Sequence, residues 1–342
     1  MNTTNDQKDV QVKPTGKRRS CLGCLGRGVI GLLALLAILM IVGAIYESAA
    51  MANDLKKYPM PGKLIDMGGY RIHLYCTGER TAGEPTVILE SGTGAASPDW
   101  GLVQPEISKI TRVCSYDRAG YGWSDKGPLP RTSKYLAEEL HTLLTKSGEE
   151  GPYVLVGHSF GGHVIRLFAH QYPQEVIGMV LVDARPEELA LRPAVSEFQL
   201  TIGAFMARFG FFHLLGKVYM KPEILETLPQ TYPWPFMFYP NTMETMRDEN
   251  LLESDKQVLD SGNLGDLPLF VIVHGNPSMF ANLPAEDALL AEADWQAAQK
   301  KLAASSSNSQ LVVAEGSGHG ITFERPDVII DAIQQILASV GD

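Results

Sequence analysis

Gly157-His158-Ser159-Phe160-Gly161 places a serine between two glycines in the pattern G-x-S-x-G. A serine hydroxyl is a poor nucleophile until a base removes its proton. The base indicated here is His319, in the glycine-rich run Glu315-Gly316-Ser317-Gly318-His319-Gly320. Of the other seven histidines, His73 falls in an early strand, and His158, His163 and His170 are tied to the serine turn and its helix. His141 falls on an amphipathic helix and His213 in a long insertion, which leaves His274 as the competitor. An imidazole acting as base needs a carboxylate to fix its tautomer. Asp183, in Leu181-Val182-Asp183-Ala184, ends a strand on the same edge as Ser159, and Asp287 and Glu286 are the alternatives. Charge developing on a substrate oxygen needs waiting donors. The backbone N–H of Phe160 is one candidate. The second is Thr93, with Gly92 as its alternative, in Ser91-Gly92-Thr93-Gly94.

These residues need elements to hold them. Residues 152–156 are apolar and β-branched and predict a buried strand; 162–170 predict a helix ending near Pro173. Strand, tight turn and helix form the setting in which a G-x-S-x-G serine is lifted above a sheet. Further strands are predicted at 63–67 and 70–76 (a hairpin through Gly68-Gly69), 86–90, 112–116, 176–182, 269–273 and 310–314. Helices are predicted at 98–110, 132–147 and 326–338. Strands alternating with helices imply a mostly parallel sheet covered on both faces. Residues 186–266 are far longer than an ordinary connection. They are rich in aromatics and methionine, from Phe198, Phe205 and Met206 to Trp234, Phe236 and Phe238, and include Tyr219 and Met220. They are expected to form a helical cap packed mainly on itself.

With those residues in view, the chain resembles the α/β-hydrolase superfamily over residues 62–342. The likeness rests on Gly157-His158-Ser159-Phe160-Gly161-Gly162, on Tyr116-Asp117-Arg118-Ala119-Gly120-Tyr121-Gly122-Trp123-Ser124, on Leu181-Val182-Asp183-Ala184, and on Gly318-His319 followed by Glu324-Arg325-Pro326. It implies an eight-stranded, mostly parallel sheet in the order 1-2-4-3-5-6-7-8, flanked by helices, with an inserted cap. It also implies the chain order nucleophile, acid, base. Residues Asp117 to Ser124 would shape a loop near the site. The implied strand order sets the strands of Cys76 and Cys114 side by side, so a disulfide is expected there; two buried free thiols are the other reading. Two departures stand out. The usual His-Gly of the oxyanion loop is Ser91-Gly92, and the acid usual after the seventh strand is missing, since His274-Gly275-Asn276-Pro277-Ser278 follows instead. The related haloalkane dehalogenases carry an acid where Asp183 falls. Those enzymes and the epoxide hydrolases use an aspartate nucleophile, so Ser159 argues against both chemistries.

Residues 28–46, GVIGLLALLAILMIVGAIY, carry no charge. As a helix they would reach about 28 Å, close to the thickness of a bilayer's hydrocarbon. Residues 1–27 hold six basic against two acidic residues, so +4 of the total −10 lies there and −14 lies beyond the apolar run. The expected layout is a basic cytoplasmic tail (1–27), a transmembrane helix (28–46), a linker (47–61) and the hydrolase domain (62–342) outside the cytoplasm. A signal peptide cleaved near Ala50-Met51-Ala52, giving a secreted protein, is the alternative. The acidic catalytic portion argues against nucleic acid as a partner. Cys21-Leu22-Gly23-Cys24 is a lone C-x-x-C, weak as a zinc signal, with juxtamembrane lipidation as another reading.

Together these features predict a serine hydrolase that cleaves a carboxylic ester of a moderately apolar small molecule through an acyl-enzyme, with no metal or organic cofactor. One alternative is a peptidase or amidase of the proline-iminopeptidase kind, in which Glu187, Glu188 and Glu197 would hold a substrate amine. The other is a non-catalytic binding module on the same fold.

Overall fold

The computed structural model describes residues 21–339 apart from 82, 190–195, 220–227, 230 and 282; Met220 lies outside the described residues, as do the side chains of Cys21, Cys24 and Tyr219. Eight strands form one sheet in the order β1-β2-β4-β3-β5-β6-β7-β8, the order the resemblance implied. They are β1 (Lys63–Asp66), β2 (Arg71–Thr77), β3 (Thr86–Glu90), β4 (Val113–Tyr116), β5 (Tyr153–His158), β6 (Val176–Val182), β7 (Leu269–His274) and β8 (Ser309–Ala314). β2 runs antiparallel to β1 and β4, and all other pairs are parallel. The central strands β3, β4, β5 and β7 are buried along their whole length. That is why they read as unbroken apolar runs rather than alternating ones.

Helices cover both faces. On one side α3 (Ser133–Ser147) contributes Leu136, Leu140 and Leu143, and α4 (Gly161–Gln171) contributes Val164 and Phe168. On the other, Trp100, Val103 and Ile107 pack with Ile329, Ile333 and Ile336 of the last helix (Pro326–Ser339). The helix expected over 98–110 is broken into a 3₁₀ turn, Ser97–Trp100, and a short α2, Gln104–Ile107. Pro105, without an N–H, is accommodated only in the first turn of a helix, so a new helix starts there. Leu102, in the turn between the two, is exposed. Cys76 and Cys114 are register partners across β2 and β4 and are joined by a disulfide.

The insertion between β6 and β7 is helical: α5 (Glu197–Ala207), α6 (Phe211–Tyr219), α7 (Pro240–Asp248) and α8 (Leu251–Ser261). The expectation that its aromatics pack mainly on themselves is corrected in part. Phe236 and Tyr232 are buried, but Phe198 and Phe205 are exposed. The linker expected over 47–61 is also corrected. α1 runs from Cys21 to Lys57 without a break. From Gly26 through Val42 it is exposed all round; beyond that Glu47, Asp54 and then Tyr58 turn inward at helical spacing. A helix unnoticed in the sequence, α9 (Ala285–Ala303), follows β7. Only Trp295, Gln299, Leu302 and Ala303 of it are buried, so its first half carries no apolar stripe to betray it. The short α10 (Ile321–Glu324) precedes the last helix, α11.

Candidate active site

Ser159 sits in the turn between β5 and α4 with φ 52°, in the left-handed region that a residue with a side chain seldom adopts. Its N–H donates to the Val182 carbonyl at 3.0 Å, and its carbonyl accepts from the Arg185 N–H at 3.0 Å. The elbow is thereby strapped to the end of β6. The motif's glycines are required by contact rather than by φ. A Cβ at Gly161 would fall 2.6 Å from the Glu90 carbonyl oxygen, and one at Gly157 would fall 2.8 Å from the Gly161 backbone.

Asp183 follows β6, also left-handed, at φ 42°, with its N–H on the Ile272 carbonyl at 2.7 Å. Its carboxylate is wholly buried and is the hub of the site. His319 Nδ1 lies 2.6 Å from Oδ2, Trp295 Nε1 donates to Oδ1 at 2.9 Å, and His274 Nδ1 lies within 2.9 Å of both oxygens. Burial alone would push this carboxyl up; the bonds from His274 and His319 outweigh it and hold it well below the ordinary carboxylate range. The acid fixes the tautomer of His319: with Nδ1–H on Asp183, Nε2 is the nitrogen left to accept a proton. The His319 side chain is a third exposed while Asp183 is sealed. Asp183 and His319 are therefore paired. Asp287 and Glu286 stand exposed on the first turn of α9 and make no hydrogen bond to His319 among the described residues. Ser159 Oγ has no hydrogen-bond partner among the described residues either.

His274, the competing base, is buried and committed at both nitrogens. Nδ1 faces Asp183, and Nε2 lies 2.9 Å from Glu292 of α9. Burial pulls its pKa down, but the two carboxylates raise it to about 9. It is a histidinium bracing the acid from behind, with no free nitrogen for a substrate. Sequence reading missed Glu292 and Trp295 because both lie on the unnoticed α9. His158, within the elbow motif, bonds through Nε2 to the His319 carbonyl at 2.9 Å. Burial lowers its pKa to about 4, so at neutral pH it is an uncharged donor holding the His319 loop.

The Ser91–Gly94 loop borders the serine. A Cβ on Gly92 would come 3.1 Å from that of Ser159. The N–H groups of Phe160 and Thr93 have no acceptor among the described residues, and Thr93 Oγ1 is buried without a partner. Arg118 holds this loop from below. Its guanidinium donates to the Ser91 carbonyl and, at 2.7 Å, to that of Gly92, and is balanced by Glu90 and Glu249. These bonds turn the Ser91 and Gly92 carbonyls toward the arginine. Arg118 lies in the Asp117–Ser124 run, which the resemblance implied would shape a loop near the site. Two of the acidic residues considered for amine binding are already neutralised, Glu187 by Arg166 at 2.6 Å and Glu188 by Lys301. A cleft of about 780 Å³ opens between the end of α1, Pro98, Trp123 and Tyr232; neither Ser159 nor His319 lines it.

Residues 87–332 match the model of the alpha/beta hydrolase family. The chain belongs to that family. The YqjL protein of Bacillus subtilis is 26% identical over 252 residues, covering 73% of this chain and 83% of that one. Two further curated relatives are longer: over the Hormonema carpetanum and Schizosaccharomyces pombe proteins it matches, the chain spans 20% and 38% of their lengths. Among solved structures, a thermophilic esterase from Thermogutta terrifontis superposes with a TM-score of 0.58 at 22% identity, over 81% of this chain and 98% of the other. An epoxide hydrolase, CorEH, gives 0.56 at 19%, over 81% and 98%. At such identities the likeness shows the fold, and the two chemistries differ, so the choice between them rests on this chain's own residues.

Proposed function

We propose that this hydrolase cleaves a carboxylic ester through a serine acyl-enzyme. The observation that carries the reading is the 2.6 Å Asp183–His319 pair at the sheet edge where Ser159 is held in a strained elbow. Ser159 Oγ attacks the carbonyl carbon as its proton passes to His319 Nε2. The oxyanion is met by the N–H groups of Phe160 and Thr93. His319 gives the proton to the departing alkoxide, which leaves as an alcohol. Water then attacks the acyl-serine, gives a proton to His319, and releases the acid as Ser159 regains its hydrogen. An aspartate nucleophile, as in epoxide opening, has no counterpart at position 159. Neutralisation of Glu187 and Glu188 favours an ester over a peptide with a free amine.

Residues 26–57 form a helix long and apolar enough to cross a membrane. We read 28–46 as a single span, with the tail 1–27 in the cytoplasm and the hydrolase domain 62–342 outside it. The test is fluorophosphonate labelling together with hydrolysis of a panel of acyl esters and a proline anilide. Wild type labels at Ser159 and turns over esters; Ser159→Ala does neither. Labelling of wild type without turnover of any ester overturns the ester assignment, and absence of labelling overturns the serine mechanism.

A further inference from the structure

We infer that the cap is itself a membrane-seating surface. The outer face of α5, with Phe198, Ile202 and Phe205, lies in the leaflet from which α1 emerges. The inference rests on reading residues 28–46 as a bilayer span.

α5 is two-sided. Leu200, Gly203, Ala204 and Ala207 are buried against the cap interior, where Met243 of α7 fills the space a Cβ on Gly203 would need. The opposite face repeats at i, i+4 and i+7, and its members are 74%, 44% and 53% exposed. A soluble domain seldom leaves two phenylalanines and an isoleucine in one open row. The adjoining helix α6 adds Leu214, 71% exposed.

The position of this row identifies what covers it. Phe205 meets the Phe209 ring with centroids 5.0 Å apart. The Phe209 backbone packs on Gly43 of α1, where a Cβ would lie 2.6 Å from its carbonyl oxygen, and Gly210 abuts the Tyr46 ring. Gly43 and Tyr46 are in the last turn of the uncharged run, so this corner of the cap sits at the depth where the span leaves the hydrocarbon. The apolar row therefore continues an apolar helix rather than standing apart from it. Beyond this level α1 becomes polar on its inner side: Glu47 and Asp54 are both bound by His213, at 2.6 and 2.7 Å. These bonds fix the cap against rotation about α1, so the row cannot swing away from the leaflet without breaking them.

The occupant is thus the acyl and headgroup boundary of the bilayer. The seated helix is also close to the chemistry. α5 leans on Met243 of α7, and Met246 of α7 covers Gly94 of the loop beside Ser159.

The test is spin-label depth measurement on the full chain in phosphatidylcholine nanodiscs, with Cys21 and Cys24 replaced by serine. Single labels go at Ile202→Cys, at Ile38→Cys within α1, and at Ser307→Cys, an exposed site before β8, at the opposite end of the sheet. Labels at 38 and 202 should saturate more readily with oxygen than with a nickel chelate, and the label at 307 should show the reverse. If 38 is oxygen-favoured while 202 matches 307, the cap is not seated and the inference is overturned, with the anchor intact. If 38 itself favours the chelate, the anchor reading fails and the seating falls with it.

Discussion

Two histidines in this molecule each bridge a pair of carboxylates, and they do different work. His274 lies between Asp183 and Glu292; His213 lies between Glu47 and Asp54. The first bridge is interior at Asp183 and His274 and only partly buried at Glu292. Gln296 binds both the His274 carbonyl and Glu292, and Trp295 closes the remaining side of Asp183. The second joins two elements that are separate until they dock, α1 and α6, through carboxylates two helical turns apart on one face. Both imidazoles have raised pKa values, since in each case two anions outweigh burial. The same chemistry thus orients a single carboxylate in one place and fastens α1 to the cap in the other. What differs is whether the neighbours are already fixed by the sheet.

Substitutions can break this comparison in graded steps. The largest effect belongs to Ser159→Ala, which should lower ester turnover by about 10⁵-fold or more while leaving both bridges and the melting temperature unchanged. Asp183→Asn should cost about 10⁴-fold in kcat, and it also removes one anion from the His274 bridge, so thermal stability falls with activity. Full activity in Asp183→Asn, paired with loss in Asp287→Asn, would move the acid to α9.

His274→Gln is the sharper probe. It keeps a hydrogen bond to Asp183 but removes the charge, and should lower kcat by about 10- to 100-fold with KM little changed. It should also alter the pH dependence of stability. His274 is raised in the native state to about 9 from 6.5. Its contribution is therefore complete below about pH 6.5 and declines as pH rises through about 9. Chemical unfolding followed from pH 6 to 10 should show that decline in wild type and a flatter limb in the variant. Identical limbs would mean that His274 is not a histidinium. His213→Ala should have the smallest effect on chemistry, within about twofold on a soluble ester. Stability should fall by about 1 to 3 kcal/mol, because Glu47 loses its partner while buried and Asp54 keeps only the Tyr239 hydroxyl. An activity loss matching that of His274→Gln would erase the distinction between the two bridges.

The site was legible in uneven measure. Ser159 and His319 announce themselves through local signals, an elbow between strand and helix and a glycine-rich loop before the final helix. Asp183 could be singled out because it ends a strand on the reactive edge, yet nothing local separated it from Glu286 and Asp287. Their exposure on α9 does. Arg118 was visible inside a glycine-rich run, but its grip on the Ser91 and Gly92 carbonyls joins positions that pair only when β3 and β4 lie side by side. Glu292 and Trp295 stayed hidden because α9 begins as an Ala- and Glu-rich exposed helix with no apolar period.

The sequence alone determined the alternation of strands and helices, the serine elbow, the inserted cap and the apolar segment ahead of the domain. Each is a pattern written over a few neighbouring residues, through periodicity, glycine placement or an uncharged run. Only the tertiary structure decided which carboxylate meets His319, that His274 is bound at both nitrogens, and that α1 continues past its apolar run to dock on the cap. Those outcomes depend on hydrogen bonds and buried charges between residues on the order of a hundred positions apart. Their energies are set by which groups the fold removes from water together.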